Sequence, residues 1–444
     1  MAQATYHLTQ LPNGVRLATA EMPHMESVAV GLWAGVGSRH EPARLNGAAH
    51  FLEHMLFKGT TRRSARAISR AVDGLGGYLN AFTSEEHTCY YAKAGAEHLG
   101  ALGDVLSDMY RHSRLQAIEF ERERGVIREE ILRVADQPAQ LVEDLLAAAV
   151  WPDHPLGRPL SGTLESVAAL ERGRLVDFWR DSYHARTTVL SVAGPVEHTT
   201  VIRTLGPSLA GMPAGRAPRF SRWVGGKPGH RSLSVRLEHR DSEQTQLALG
   251  FPAPGRHDPR RFAMRVVSAI LGENMGSRLF QSLRERRGLC YSIQTATDAL
   301  AETGLFSISA GLDAENLREA LRLIRLELDR LCTTAVGRRD LQQAKDYLIG
   351  QHRLGLESTT NQMTWLGESL LGHGRIVEPD EARHALEAVS AAEVQIAAQE
   401  CFGAGNRSAL SAGGRRALVV VGPFDGDEAT LLRWFQRPGA LRRK

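Results

Sequence analysis

The chain has 444 residues, of which 43% are hydrophobic and 23% charged, and its formal net charge is +4. This composition is typical of a globular protein and excludes extensive disorder, while the length suits two domains of roughly 200 residues each. The slight positive charge and the lack of a dense Lys/Arg block exclude nucleic acid as an expected partner.

The cysteines and the apolar segments indicate where the chain resides. Its four cysteines are scattered without paired spacing: Cys89, Cys290, Cys332 and Cys401. This pattern argues against a disulfide framework and against a cysteine-ligated metal. Residues 1–17 lack the pattern of a signal peptide, and no apolar run reaches the ~18–20 residues that a membrane helix needs. We therefore expect a cytoplasmic protein with no membrane partner.

In chain order, the first half is predicted to form a strand, a helix, two strands, a second helix and a closing strand. Residues 27–36, SVAVGLWAGV, alternate as a half-buried strand does, and residues 45–57, LNGAAHFLEHMLF, have a helical pattern. Residues 76–109 predict strand, turn, strand and amphipathic helix, and residues 187–198 predict a strand that ends at Gly-Pro.

The second half repeats this order. Residues 244–253 predict the first strand, 258–272 a helix, 288–324 two strands and a helix, and 416–428 a strand that again ends at Gly-Pro. We interpret the chain as an α+β protein of two homologous α/β-sandwich halves. The predicted domains are 1–212 and 231–444, joined by a linker at 213–230 that is rich in Gly, Pro and Arg.

The segment HFLEH interrupts the apolar run of the first predicted helix with polar residues. His50, Glu53 and His54 have the spacing i, i+3, i+4 and so share one face of a helix. Two imidazoles on adjacent turns can bind zinc, and a carboxylate beside them can act as general base on a water molecule. The simpler alternative is a buried helix with hydrogen-bonded histidines. The second half has FAMRVVSAI at the equivalent place, so only the first half is predicted to hold a metal.

A third ligand is expected from the helical segment 120–134. Glu123 and Glu130 are seven residues apart and share a face that is flanked by apolar residues, where a carboxylate is costly unless it is paired or bound to metal. From the residues alone, either carboxylate is the ligand candidate. The other would then orient a ligand histidine.

Three segments carry a family resemblance: HFLEHMLFKGT, GGYLNAFTSEEHTCYYAK and ERERGVIREE. They resemble the pitrilysin/insulinase-type zinc metallopeptidases, most closely the branch of the mitochondrial processing peptidases. The resemblance implies that His50, His54 and Glu130 bind one Zn²⁺ per chain and that Glu53 is the catalytic base. It also implies that Glu123 supports a ligand and that the chain forms half of a clamshell.

The resemblance also suggests substrate-binding residues. Asn80, Ala81 and Phe82 match an edge strand on which the substrate backbone pairs as an added strand. Arg284 and Tyr291 match a pair that reaches the active site from the opposite side of the clamshell, where Tyr291 would donate to the developing oxyanion. The alternatives are turn or core roles for Asn80 and Phe82, and a helix-end charge for Arg284.

The expected function is a zinc-dependent endopeptidase that hydrolyses unstructured peptides in a closed dimeric chamber. The zinc-site and clamp residues are in one chain, which favours a homodimer. The alternative is a zinc-bearing subunit of a heterodimeric processing peptidase with a homologous partner, and a non-catalytic scaffold subunit is a third reading. Glu85, Glu86 and Glu123 suggest an acidic lining and hence a preference for basic peptides.

Overall fold

The computed structural model describes residues 4–216, 218–223, 233–403 and 415–436. The strands are β1 (Thr5–Gln10), β2 (Arg16–Glu21), β3 (Ser27–Ala34), β4 (Tyr78–Thr83), β5 (Thr88–Gly95), β6 (Thr188–Gly194), β7 (Ser234–His239), β8 (Thr245–Ala253), β9 (Cys290–Ala299), β10 (Gly304–Leu312) and β11 (Ala417–Gly422).

The helices are α1 (Ala48–Leu56), α2 (Ala65–Asp73), α3 (Leu99–His112), α4 (Ala117–Ala135), α5 (Pro138–Val150), α6 (Leu164–Ala169), α7 (Arg172–Ser182), α8 (His198–Ala210), α9 (Arg261–Leu271), α10 (Leu317–Thr333), α11 (Arg338–Gly355), α12 (Thr359–His373), α13 (Pro379–Ala388), α14 (Ala391–Phe402) and α15 (Glu428–Gln436). No helix in these described ranges is long and apolar enough to span a membrane.

The chain divides into two compact units. Unit 1 contains the described residues of Met1–Leu132, Arg158–Ser221 and His352–Glu378, and unit 2 those of Arg133–Gly157, Arg222–Gln351 and Pro379–Lys444. Each unit is built on one β-sheet.

The sheet of unit 1 has six strands in the order β1-β2-β6-β3-β5-β4. Strands β2 and β6 are parallel, and all other neighbours are antiparallel. Strand β6 is buried along its whole length, whereas β4 lies at one edge. The apolar faces of α1, α3 and α8 pack with this sheet in one core cluster.

The sheet of unit 2 repeats this topology with five strands in the order β7-β11-β8-β10-β9. Strands β7 and β11 are parallel, as β2 and β6 are in unit 1, and the other neighbours are antiparallel. Strands β2 to β6 therefore correspond one by one, in chain order, to β7 to β11, and β1 is an addition to the first sheet. The predicted α+β class with two homologous sheet-containing halves is confirmed.

One helix of each unit comes from a distant part of the sequence. Helix α12 packs through Met363, Leu366 and Leu370 against strands of the first sheet. Helix α5 packs through Val142 and Leu146 against strands of the second sheet.

Glycines in the central strands let these two helices approach closely. A Cβ at Gly31 of β3 would lie 2.1 Å from Met363 Sδ, and a Cβ at Gly250 of β8 would lie 2.9 Å from Val150 Cγ2.

The two units therefore differ from the contiguous predicted domains 1–212 and 231–444, because α5 packs in unit 2 and α12 packs in unit 1. Residue 217 and residues 224–230 of the predicted linker lie outside the described residues. The described linker residues have no helix or strand.

Candidate metal centre and active site

Helix α1 presents one apolar and one polar face. Its six buried residues are Ala48, Ala49, Phe51, Leu52, Met55 and Leu56. His50, Glu53 and His54 are the partly exposed residues of the helix. The apolar residues fix the helix in the core of unit 1, so the three polar side chains start from a rigid backbone.

A buried carboxylate holds the start of this helix. Glu41 accepts hydrogen bonds from the backbone N–H groups of Gly47 (2.8 Å) and Ala49 (2.6 Å) and from Asn46 Nδ2 (3.4 Å). Burial raises the pKa of Glu41 to about 8, although the two backbone donors act in the opposite direction. Glu41 thus accepts hydrogen bonds from two of the N–H groups that have no partner within the helix at its N-terminus.

His50, His54 and Glu130 converge on one point. One ligand atom from each side chain lies within 4.8 Å of the others, and this is the group of potential metal ligands found among the described residues. Glu130 Oε2 lies 3.6 Å from His54 Nε2 and 3.9 Å from His50 Nε2.

These three residues fit a zinc ion. Ligand atoms bound tetrahedrally at roughly 2.0–2.1 Å lie about 3.3–3.4 Å from one another. The distances of 3.6 and 3.9 Å from Glu130 Oε2 to the two histidines are close to this spacing. Burial, with the neighbouring His54, lowers the pKa of His50 to about 4. His50 is therefore neutral at physiological pH, which is the form that binds a metal.

Glu123 supports His54 from behind. Its Oε2 lies 3.0 Å from His54 Nδ1, and its Oε1 lies 2.6 Å from Lys58 Nζ. Burial acts to raise the pKa of Glu123, but the hydrogen bonds from His54 and Lys58 outweigh it and lower the pKa. The ionised carboxylate accepts a hydrogen bond from the Nδ1–H group of His54. The unprotonated Nε2 atom then faces the same site as Glu130.

The pKa of His54 is raised by its acidic neighbours. Burial alone would lower it, but the hydrogen bond to Glu123 and the charges of Glu130 and Glu53 outweigh burial. In the absence of a cation, a proton on His54 would balance these carboxylates. Such an excess of negative charge suits a divalent cation at the same place.

Glu53 lies next to this group and is oriented by the edge strand. Thr83 Oγ1 of β4 donates a hydrogen bond to Glu53 Oε2 at 2.6 Å. Burial raises the pKa of Glu53, and the hydrogen bond from Thr83 opposes the shift. A carboxylate with a raised pKa, fixed beside a metal site, has the properties of a general base.

Strand β4 is an edge strand, as the sequence predicts for Asn80, Ala81 and Phe82. It pairs with β5 in the register Asn80↔Tyr91, Ala81↔Tyr90 and Phe82↔Cys89. No strand among the described residues pairs with its other edge. An extended peptide could therefore be added beside β4.

The side chain of Phe82 does not face helix α1. Leu79 and Ala81 pack in the core that contains α1, whereas the ring of Phe82 packs edge-on against Trp33 at 5.6 Å between ring centroids. Side chains alternate along a strand, so Phe82 and Thr83 lie on opposite faces of the sheet. The ring of Phe82 therefore lies on the face of the sheet opposite to α1.

Arg284 and Tyr291 lie together in unit 2. Arg284 is in a π-helical segment, Phe280–Glu285, and Tyr291 is near the start of β9. The guanidinium carbon lies 4.8 Å from the centroid of the Phe280 ring and 5.9 Å from that of the Tyr291 ring. Tyr291 is 74% exposed, so this pair is accessible to a ligand.

Two of the acidic residues expected to favour basic peptides are already matched by cations. Glu86 pairs with the buried Arg39, and Glu123 pairs with Lys58. The structure therefore removes the basis for a preference that rests on these carboxylates.

Sequence reasoning missed three residues that support the site: Glu41, Lys58 and Thr83. Lys58 lies two residues beyond the end of α1 and contacts Glu123 of α4, so helical spacing does not identify it. Thr83 shares a face of β4 with Ala81, but only the packing of β4 beside α1 shows that it reaches Glu53. Glu41 lies in the loop only five to eight residues before the groups it binds, but it belongs to no periodic pattern that would identify it.

Comparisons with known proteins match both halves of the chain. Residues 16–164 match the profile of the insulinase family (Peptidase family M16), and residues 169–348 match the profile described as the peptidase M16 inactive domain. The second match spans the end of the first half and residues 231–348 of the second half, which lacks an HFLEH segment.

Curated relatives cover most of the chain. An uncharacterized zinc protease of Streptomyces coelicolor is 37% identical over 432 residues, which is 96% of this chain and 92% of that protein. One of Mycobacterium tuberculosis is 38% identical over 392 residues, covering 88% of this chain and 89% of that protein. One of Bacillus subtilis is 36% identical over 391 residues, covering 88% and 94%.

Solved structures share the fold. The crystal structure of a protease from Helicobacter pylori matches with a TM-score of 0.86 at 20% identity, covering 95% of this chain and 100% of that chain. A structure from Pseudomonas fluorescens, described as a peptidase M16 inactive domain, matches with a TM-score of 0.83 at 18% identity, covering 94% and 98%.

Proposed function

The chain belongs to the insulinase family of peptidases, family M16, and we propose that it is a zinc-dependent endopeptidase that hydrolyses unstructured peptides in a closed dimeric chamber. The observation that carries the proposal is the convergence of His50, His54 and Glu130, with Glu53 one helical turn from His50. The relatives described above are named zinc proteases, which supports peptide hydrolysis as the reaction.

His50, His54 and Glu130 would hold the zinc ion, one per chain. When bound, zinc would supply a Lewis acid that lowers the pKa of a water molecule toward ~7 and polarises a carbonyl. Glu123 fixes the tautomer and ring orientation of His54, and Lys58 keeps Glu123 charged.

Glu53 would act as the general base and then return the proton to the leaving amine. The hydrogen bond from Thr83 fixes one carboxylate oxygen, and the other oxygen can take the proton. Because Thr83 belongs to β4, the base and the edge strand keep a fixed relation to each other.

The substrate would bind as an added strand beside β4, through the backbone groups of Asn80, Ala81 and Phe82. Only a segment in extended conformation can pair in this way, which selects unstructured peptides over folded proteins. Arg284 and Tyr291 would bind the substrate from the second half of the chamber, Arg284 through a carbonyl and Tyr291 through the developing oxyanion.

The partner in the proposal is a second copy of this chain. Both the zinc-site residues and the Arg284–Tyr291 pair are in one sequence, so a homodimer can supply every part. The four cysteines are free thiols, three of them buried, and a reducing compartment such as the cytoplasm keeps thiols in this state.

The test is cleavage of an internally quenched, unstructured peptide by the chain purified alone. We expect cleavage that stops when a chelator removes the metal and returns when zinc is added. Zinc content is measured on the same samples, so that loss of metal and loss of fold can be separated.

Cleavage that continues in metal-free protein would contradict a zinc mechanism. Bound zinc without cleavage at any protein concentration would contradict the homodimer. It would instead support a zinc-bearing subunit that needs a different, homologous partner, or a scaffold subunit.

A further inference from the structure

A basic cavity lies in unit 1 beside the loop that follows helix α1. Its volume is about 510 Å³, and it is lined by residues of that loop, of the first turn of α2, of the loop before α4 and of α4 itself. Six lining residues are cationic: Lys58, Arg62, Arg63, Arg66, Arg114 and Arg122. Glu119 is the acidic residue among those that line it.

Four of these cations are already paired with carboxylates. Arg62 and Arg63 both contact Asp104 and Asp108, Lys58 contacts Glu123, and Arg122 contacts Glu119. The paired groups balance in number, four cations with four carboxylates, so they contribute no net charge.

Arg66 and Arg114 have no carboxylate partner within the described part of the chain. Both side chains are exposed, and both line the cavity. They come from different elements, α2 and the loop before α4. Among the described residues that line the cavity, the cations therefore exceed the paired carboxylates by two positive charges.

We propose that this cavity binds a small phosphorylated ligand through Arg66 and Arg114. A phosphate monoester carries a charge of about −1.5 to −2 near neutral pH, which matches two guanidinium groups. Guanidinium also binds phosphate oxygens in a bidentate manner, and Ser64 and Ala65 at the start of α2 line the same cavity. A carboxylate would match only half of the charge.

The size of the cavity indicates an organic phosphate. Its volume of about 510 Å³ falls within the range of roughly 300–1,000 Å³ that is usual for small-molecule sites. A phosphate group held by Arg66 and Arg114 leaves room for an attached organic group beside Thr61 and Gln116. This site is distinct from the zinc site and goes beyond the proposed peptidase function.

The test is isothermal titration of the full zinc-loaded chain with inorganic phosphate and, separately, with adenosine 5′-monophosphate at low ionic strength. The variants are Arg66→Gln and Arg114→Gln. The matched control is Arg70→Gln, an exposed arginine one turn further along α2 that does not line the cavity. We expect unchanged affinity in the control and about tenfold or greater loss in each cavity variant.

A comparison of the affinities for the two probes identifies whether the ligand is an organic phosphate or free phosphate. Tighter binding of the monophosphate than of inorganic phosphate assigns an organic phosphate, and equal binding assigns free phosphate; both support the cavity as the site. Binding that survives in both cavity variants would place the anion elsewhere, including at the zinc ion, and would overturn the proposal. An absence of binding with both probes, or an equal loss in the control, would also overturn it.

Discussion

Glu53 is the residue on which the proposed chemistry depends most directly. Glu53→Gln changes one oxygen to an amide and can keep the hydrogen bond from Thr83, so fold and zinc binding should persist. Turnover should fall by about 10²–10⁴-fold, because a positioned base contributes that much. The measurement combines kcat on the quenched peptide with zinc content by mass spectrometry.

The control for this change is Glu129→Gln, at an exposed position of α4. It should leave both kcat and zinc content unchanged. If Glu53→Gln retained full turnover with zinc bound, the base would have to be another group.

Glu130 and Glu123 have different predicted roles that a metal titration can separate. Glu130 faces the Nε2 atoms of both histidines, whereas Glu123 contacts His54 Nδ1 and Lys58. Glu130→Gln should remove a ligand and weaken zinc binding more than Glu123→Gln, for which about 10–100-fold is expected. Zinc affinity is measured by competition with a chromogenic chelator, and the reverse order would exchange the two roles.

At the residue scale, helical periodicity was sufficient to predict which side chains of one helix share a face. The spacing of His50, Glu53 and His54, and that of Glu123 and Glu130, predicted shared faces, and the structure brings all five together. Periodicity left open which of the two glutamates faces the metal, because both lie on the same stripe of α4. That choice depends on how far along α4 the helix α1 crosses, which is a property of packing.

At the scale of the element, Glu41 at the start of helix α1 makes the stability of the folded chain depend on pH. Burial raises the pKa of Glu41 from 4.5 to about 8. Between these values the folded chain holds a proton that the unfolded chain has released. The folded state then binds more protons than the unfolded state, so stability falls as the pH rises through this window.

We therefore predict that the stability difference between the native chain and Glu41→Gln depends on pH. The variant has no titrating group at this position. Relative to it, the free energy of unfolding of the native chain should fall by up to about 1.4 kcal/mol per pH unit as the pH rises from about 5 to 8. The measurement is the urea midpoint of both proteins across this range at saturating zinc, since metal binding itself depends on pH. A difference that stays constant with pH would contradict the raised pKa.

Helices and strands were predictable where the apolar period agrees with the turn residues at their ends. They were less predictable where packing against other elements determines the conformation or the exposed face. The alternation of β4 and its position beside a hairpin predicted a strand, and its edge position is confirmed. The side to which Phe82 points was not predictable, because the face that meets α1 depends on packing. The segment that carries Arg284 forms a π-helical turn at Phe280–Glu285, a geometry that leaves no mark in the apolar period.

At the scale of the whole molecule, the internal repeat predicted the matching topology of the two sheets. The exchange of α5 and α12 between the halves was not predictable. The apolar stripe on α5 shows that Val142, Leu146 and Val150 are buried, but a stripe of aliphatic residues fits the face of either sheet. Only the assembled units show that α5 covers β8 and β11, beside the close approach at Gly250.

The proposed homodimer leads to a prediction about which chain supplies the clamp. If Arg284 of one chain serves the zinc site of the other, two inactive variants should complement each other when mixed. Glu53→Gln and Arg284→Gln are each expected to be strongly impaired. After unfolding and refolding together, half of the dimers are mixed and one of the two sites in each mixed dimer is intact, so about a quarter of native activity should return.

The matched control is a mixture of Glu53→Gln with Glu130→Gln. Both changes damage the zinc-bearing half of a site, so no mixed dimer contains an intact site and no activity should return. Dimer formation in each mixture is checked by sedimentation. If mixed dimers form and the mixture of Glu53→Gln with Arg284→Gln is no more active than its components, Arg284 does not act across the dimer. The clamp would then have to serve the zinc site of its own chain.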